Sequence, residues 1–506
     1  MAITSSISTT HPAYDASINQ RERCRSAIAG QDVIKLGGQK YLPPVNVEQD
    51  TDNSDYAIYL ENAEWYNAVG LTYAAFLGMI FRKNPQVGDF TADSINEDSI
   101  LNNVNLEGDD IFTFIRDMTI EELKVGRVGV LVDYPATDEL GELTISEAAR
   151  NGVRPFAKIY NAEAIINWKY RTIRGVKKLI SVVLRERIEK PSTSEGDNLF
   201  SHDLENQYRA LVIIDGVYSQ IIYNDALEEV DRVNITFNGK PLTEIPFTVI
   251  NPTSIGMEVE KPPLLDMTDT NISHYRASAA LGANIHMFAR ITPIFKVPAE
   301  HFDQFLSQDM EFGSTKSIVI PTSSEGADSD AYFLEPKSDF TPIVNQQIRL
   351  EERMASQGAR MLSTPKAGVE SVDTVRLDMM GELSILSSIA KNLSEGITQI
   401  VSQLLGKETP VVLNSDFLTM PIDAGMITAL LMSLQAGRLS EAQFIDSLVR
   451  GEAIKEEAKI ITDTAFTSSP DTEALGVPAA DGELKGREDN VKKKEPLSNP
   501  NGLEKN

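Results

Sequence analysis

Cysteine is almost missing from this 506-residue chain; Cys24 stands alone, so no internal disulfide can form and a reducing compartment is expected. An unreactive thiol near a flexible start is the plain reading of it. Histidine (5) and tryptophan (2) are nearly as scarce, which leaves little material for a nitrogen- or sulfur-rich metal site. No apolar run approaches the ~18 residues a membrane helix needs. Residues 69–81 fall short and end in Arg82 and Lys83. The opening MAITSSISTT lacks a basic start and an apolar core, so a cytosolic product is expected. Positive charge is in deficit as well: 47 Lys and Arg against 74 Asp and Glu give −27. That argues against gripping duplex DNA, which needs concentrated cations. It still permits DNA to slide along a wall that repels phosphates. Phosphate-cradling GxxxxGK[ST], GxGxxG after a strand, GxSxG and HExxH are all absent, so no enzyme motif and no cofactor is indicated.

What is present is one long helical pattern over 372–404. Val372, Val375, Met379, Leu383, Leu386, Ala390, Leu393, Ile397, Ile400 and Leu404 fall at gaps of three and four, which puts them on one face. Gly406 and Pro410 supply a stop. At about 1.5 Å per residue the helix spans roughly 50 Å. Gly381 and Gly396 inside it cost ~1 kcal/mol each relative to Ala, so bends or close contacts are expected there. Helices are also expected over 55–79, 109–124, 263–290, 342–362, 423–434 and 440–449. Ser440 with Gln443 reads as a capping box for the last. Between them lie a short buried strand, 128–133, and a β-rich stretch, 156–249, with turns at Asp215-Gly216 and Asn238-Gly239. Short strands are expected at 294–297 and 317–320, an acidic loop over 323–330, and disorder from about 468 onward. The fold class is α+β.

Clusters with a chemical flavour mostly have plainer readings. Asp50, Asp52, Ser54 and Glu61 echo a calcium loop, but Asp55 replaces the glycine and Ile58 fills the ninth place, so an acidic helix start is the better reading. His274 and His286, twelve apart on one helix, cannot chelate together. The helix pair around 435–440 offers Arg450 alone against Glu441 and Asp446, a poor face for phosphates.

Four segments in order carry a resemblance. They are Thr72-Tyr-Ala-Ala-Phe-Leu-Gly-Met-Ile-Phe-Arg-Lys-Asn-Pro85, Gly126-Arg-Val-Gly-Val-Leu-Val-Asp-Tyr-Pro135, Ile245-Pro-Phe through Asn251-Pro252, and Pro262-Pro-Leu-Leu-Asp266 leading to Asn271-Ile-Ser-His-Tyr-Arg276. Together they resemble the portal, or head-to-tail connector, proteins of tailed bacteriophages over roughly 15–450. The resemblance implies a ring, usually of twelve subunits, at one capsid vertex of a virion, made in the host bacterial cytoplasm. Double-stranded DNA would pass through without sequence specificity. Partners would be the terminase large subunit, a head–tail adaptor and the major capsid or scaffold protein, with no membrane.

Placed on this chain, it implies an N-terminal arm, partly flexible (1–54), a wing (55–262), a first stem helix (263–291) and a clip (292–340). A second stem helix (341–362), a tunnel loop (363–369), a long kinked wing helix with a closing strand (370–420), a small helical crown (421–467) and a disordered tail (468–506) follow. Candidates for DNA contact are Lys366, Arg349, Arg353 and Arg360, each of which could equally form a salt bridge between subunits. Glu325, Asp328 and Asp330 are candidates for terminase or adaptor contact. Ala279, Gly282 and Ala283 would pack stem helices in the ring, and the stripe on the long helix would face a neighbour. Two other classes compete: another virion structural or adaptor component, and a metal-dependent DNA-processing enzyme using Asp109-Asp110 or Asp328 and Asp330.

Overall fold

The computed structural model describes residues 6–44, 54–88, 90, 100–134, 154–190, 202–237, 240–288, 292–303, 311–312, 315–316, 318–322, 330–334, 339–358, 372–417, 424–450 and 453–454. The helices are α1 (Pro12–Ala29), α2 (Gln31–Leu36), α3 (Ser54–Asn62), α4 (Ala68–Ile80), α5 (Ile111–Val125), α6 (Leu265–Phe288), α7 (Thr341–Ser356), α8 (Val372–Leu405), α9 (Ala424–Gln435) and α10 (Glu441–Arg450). The strands are β1 (Gln86–Val87), β2 (Val128–Asp133), β3 (Phe156–Asn161), β4 (Ile165–Ile173), β5 (Val176–Glu189), β6 (Leu204–Ile214), β7 (Val217–Tyr223) and β8 (Glu229–Asn234). They continue as β9 (Thr236–Phe237), β10 (Lys240–Pro241), β11 (Phe247–Ile250), β12 (Thr292–Pro298), β13 (Glu311–Phe312), β14 (Thr315–Lys316), β15 (Ile318–Thr322), β16 (Asp330–Leu334) and β17 (Val411–Val412).

Strands β4 to β8 form an antiparallel meander in chain order. Its hairpin at Asp215-Gly216 turns through two positive φ values, 51° and 81°, the mirror-image turn that matches strand twist. Arg174-Gly175 repeats the device at 52° and 82°. Beside the meander, β2 is the middle of an antiparallel trio, β11-β2-β3. Its run Val-Gly-Val-Leu-Val is buried from end to end because it is covered on both faces. Helix α5 leads into it, started by Asp110, whose carboxylate accepts from the Thr113 N–H at 2.7 Å, and ended by Gly126 at φ 69°. A smaller sheet, β15-β12-β16, joins a parallel and an antiparallel pair; β9-β10, β13-β14 and β1-β17 are two-stranded. The described residues up to 417 form one compact unit and those from 424 another. The second contains α9 and α10, with Ser440 and Gln443 capping each other reciprocally at 3.3 and 3.1 Å.

Helix α8, 34 residues long, passes unbroken through Gly381 and Gly396. From Leu386 onward its stripe does not wait for a neighbouring subunit; the side chains of Val372, Val375, Met379 and Leu383 lie outside the described ones. Leu386, Ala390, Leu393, Ile397, Ile400 and Leu404 are buried in the chain's own core. At Gly396 a Cβ would lie 2.6 Å from Ile250 of β11, so glycine there permits close approach of helix to sheet. A second row on this helix holds the returning chain. Ser402, Thr398 and Ser394 accept from the N–H groups of Thr409, Val411 and Leu413 at 3.0, 2.8 and 2.9 Å. Four helical residues rise about 6 Å, close to the ~6.6 Å of two strand residues, so the two spacings stay in step.

Two other expectations need correction. The helix expected over 55–79 is two, because Asn67 caps α4 by accepting from Gly70 N–H at 3.2 Å. The segment read as an arm supplies α1 and α2, and Tyr14, Cys24, Ala27 and Ile34 are buried. Of the small residues on α6, Ala279 is fully buried within this chain, a Cβ at Gly282 would meet the Asn62 carbonyl at 3.4 Å, and Gly282 and Ala283 are half-buried. The turn residues Asn238-Gly239, the loop 323–329 and the tail from 468 lie outside the described residues.

Candidate functional site: a helical hairpin seated on a motif junction

The segments that carry the resemblance meet in space. Gly126, at positive φ, faces Pro262 and Pro263, where a Cβ would lie 3.0 and 3.1 Å away. Gly129 lies beneath Phe247, which a Cβ would meet at 2.5 Å. Between them Arg127 is buried. Its guanidinium donates to the carbonyls of Met257 and Glu258 at 3.2 and 2.8 Å and to Asn251 Oδ1 at 3.4 Å. The indole of Trp168 lies 4.9 Å away. Burial, and secondarily Arg21, pulls the Arg127 pKa down to about 9. Asn392 of α8 then donates to the carbonyls of Asn251 and Ser254 at 2.5 and 3.1 Å. Asn271 of α6 bridges to α4 and its lead-in, accepting from Val69 N–H at 3.3 Å and donating to the Tyr66 carbonyl at 2.8 Å. The junction therefore joins sheet, long helix and the foot of α6.

From that foot α6 and α7 run antiparallel. Thr270 Oγ1 meets Gln357 Oε1 at 3.0 Å, and His274 Nε2 meets Glu351 Oε1 at 3.2 Å. Farther out burial falls away. No described residue of α6 beyond Ala279 is buried, and Met354 is the one buried residue of α7. The β15-β12-β16 sheet lies in the chain between the far ends of these helices.

Of the candidates read from sequence, Arg349 and Arg353 stand exposed on α7, their guanidinium groups without a hydrogen bond or ion pair among the described residues. Asp330 opens β16 and is exposed. Lys366, Arg360, Glu325 and Asp328 lie outside the described residues, as does the loop 363–369. Ala279, Gly282 and Ala283 lie on α6 and Gly381 and Gly396 on α8. His274 bridges the hairpin, while His286 is exposed.

The alternative carboxylate pair is occupied structurally. Asp109 accepts from Asn105 at 2.6 Å, and Asp110 caps α5. Asp50 and Asp52 lie outside the described residues, and Glu61 sits in α3. No group of three His, Cys, Asp or Glu able to hold a metal occurs among the described residues. Nor is any described helix long and apolar enough to cross a membrane. Burial pushes the Cys24 thiol up to about 11, which suits a structural cysteine.

A buried polar network escaped the sequence reading, because its members sit on separate strands with ordinary local patterns. Glu186 on β5 accepts from Tyr160 Oη at 2.6 Å, Gln207 at 2.7 Å, Lys158 at 3.2 Å and Arg209 at 3.2 Å. Asp133 joins through Gln220, which donates at 2.6 Å. Burial alone would raise the Glu186 pKa, but Arg209 and Lys158 hold it down at about 2. A depressed folded-state pKa means stability that is present above the unfolded value and lost as pH falls from about 4.5 toward 2. Glu186→Gln is therefore expected to cost roughly 2–3 kcal/mol at pH 7 and progressively less toward pH 3, read from urea midpoints across pH. Equal destabilisation at both pH values would show that shape, not charge, matters there.

A family model described as a domain of unknown function (DUF4055) matches residues 263–404, the hairpin, its intervening sheet and nearly all of α8. No curated protein matches. Among solved structures, chains from gene transfer agent particles are similar. The neck of the native particle with C12 symmetry shows 11% identity and a TM-score of 0.40, covering 82% of this chain and 98% of that one. The neck of the empty particle with C6 symmetry shows 12% and 0.38, covering 79% and 94%. The native virion shows 10% and 0.36, covering 80% and 93%.

Proposed function

We propose that this chain is a portal subunit, a non-enzymatic component of a phage-type virion whose copies close into a ring at one capsid vertex. The observation that carries the reading is the hairpin: two antiparallel helices leave a sheet-built body, with a small sheet between them in the chain and a 34-residue helix after them. That is the order of first stem, clip, second stem and long helix that the sequence resemblance implies. The sparsely buried outer hairpin fits a part that acquires its packing from other copies, since isolated helices gain most of their stability from a buried face.

In this reading DNA passes through the ring during packaging and ejection. A net charge of −27 disfavours retention of the cargo. Lys366 and Arg360, in the stretch between α7 and α8, are the cations assigned to the DNA path. The intervening sheet, with Asp330 exposed on it, would dock the terminase and then the adaptor. Motive energy would come from the ATP-driven partner, the chain's own motifs including no phosphate-binding loop. Capsid or scaffold protein would surround the body.

Negative-stain imaging and mass photometry of the purified full chain test this. The expected result is a ring-sized oligomer, about twelve copies, with a central hole and no Mg²⁺-dependent cleavage of DNA. A stable monomer at micromolar concentration, or a monomer that cuts DNA, overturns the proposal.

A further inference from the structure

We propose that Arg349 and Arg353 form a heterologous contact with the opposite side of the same hairpin in a neighbouring copy, rather than lining the DNA path. This rests on the ring reading but names the surfaces that would close it. On the helical wheel of α7, Ile343, Gln347, Leu350 and Met354, half-buried or buried, mark the face turned to α6, with Ala355 also half-buried on the Glu351 side. At about 100° per residue, Glu351 lies about 160° around the helix from both Arg349 and Arg353. Exposed Glu352 lies on the outward side, about 60° from Arg349; helix α7 thus carries its two arginines on one flank and Glu351 on the other at one height along its axis.

The acidic flank has more than a carboxylate. Val344 and Ile348, on the same side of the wheel as Glu351, are 38% and 47% exposed. Tyr66, 49% exposed, lies against His274, ring centroids 5.4 Å apart, and His274 in turn holds Glu351. Carboxylate, aliphatic surface and aromatic ring together match an arginine in each of its parts. The methylene stem covers apolar side chains, and the guanidinium meets a carboxylate and an aromatic face. A phosphate track explains Arg349 and Arg353 but leaves Val344, Ile348 and Tyr66 uncovered.

Copies related by rotation about an axis parallel to the hairpin bring one flank of each onto the opposite flank of the next. Such contacts are heterologous and close into rings when the rotation divides a full turn. Two self-complementary flanks on one element meet that requirement without a second protein.

A charge exchange tests the contact in the full chain. Arg349→Glu with Arg353→Glu puts like charge at every junction, and the ring fraction by mass photometry at 50 mM NaCl is expected to fall at least tenfold. Adding Glu351→Lys restores opposite charge with the flanks exchanged, and rings are expected to return. Circular dichroism shows whether each variant is folded. Undiminished rings in the double variant overturn the inference while leaving the ring reading intact. A folded triple variant that does not recover also overturns it, because the acceptor is then not Glu351. Intact rings whose DNA retention alone changes return both arginines to the DNA path. Wild-type protein that is itself monomeric removes the ring reading, and the inference with it.

Discussion

Replacing Glu122 by glutamine is expected to raise the melting midpoint of the protein at pH 8 and to leave it nearly unchanged at pH 4. Glu122 sits in the last turn of α5, fully buried, and neither carboxyl oxygen has a hydrogen-bond partner among the described residues. Burial, with Glu260 adding repulsion, raises its pKa to about 8. The carbonyl end of a helix disfavours negative charge further. A carboxyl whose folded pKa lies above its unfolded value contributes fully below the unfolded value, and that contribution drains away as pH climbs to the folded one. Between about pH 4.5 and 8 the native state holds a proton that the unfolded chain releases. The accumulated penalty is on the order of 3–4 kcal/mol by pH 8. Glutamine has nearly the same shape and no proton to lose, so the penalty disappears. A gain of the same size at both pH values, or a loss at pH 8, would rule out this account.

Arg127→Met is expected to destabilise the protein by roughly 3–5 kcal/mol, because it leaves buried acceptors without their donor. Methionine fills much of the volume but donates nothing. The carbonyls of Met257 and Glu258 lose a charged donor, at about 1.5–3 kcal/mol for each such bond. Trp168 loses the cation over its face on one side, keeping His11 stacked at 4.0 Å. Because the 251–258 loop also anchors Asn392, hydrogen exchange should quicken in the middle of α8 as well as in the loop. Arg127→Lys should recover only part of the loss: the three oxygen partners all bond one terminal nitrogen, Nη1, but the shorter lysine stem sets its nitrogen back and offers no planar group over Trp168. Chemical denaturation of wild type and both variants decides it. A methionine variant within about 1 kcal/mol of wild type would show that the junction is held by apolar packing alone.

Much of the architecture was legible beforehand, for reasons specific to each element. Helix α8 and strand β2 were readable because their apolar spacing is regular over their full length. The Asp215-Gly216 turn and the Ser440–Gln443 cap were readable because each needs particular residues at particular offsets. The break between α3 and α4 was not, since Asn67 reads as an ordinary helix residue until its carboxamide is seen accepting from Gly70 N–H. Helix α1 was hidden by its polar composition. Arg25, for example, ties it to Glu121 and Glu163 at 2.5 and 2.7 Å, partners 96 and 138 residues away.

The amino-acid order by itself determined where regular elements occur, the acidity of the whole and the order of hairpin, intervening sheet and long helix. These are local or summed properties, written in spacing and composition. Only the tertiary structure decided what each face touches. It turned the α8 stripe from Leu386 onward inward onto Ile250 and its neighbours, brought Arg127 to the loop at Asn251, and left the guanidinium groups of Arg349 and Arg353 without partners among the described residues. Such pairings join residues far apart in the chain, and periodicity along one segment holds no information about the segment it will meet.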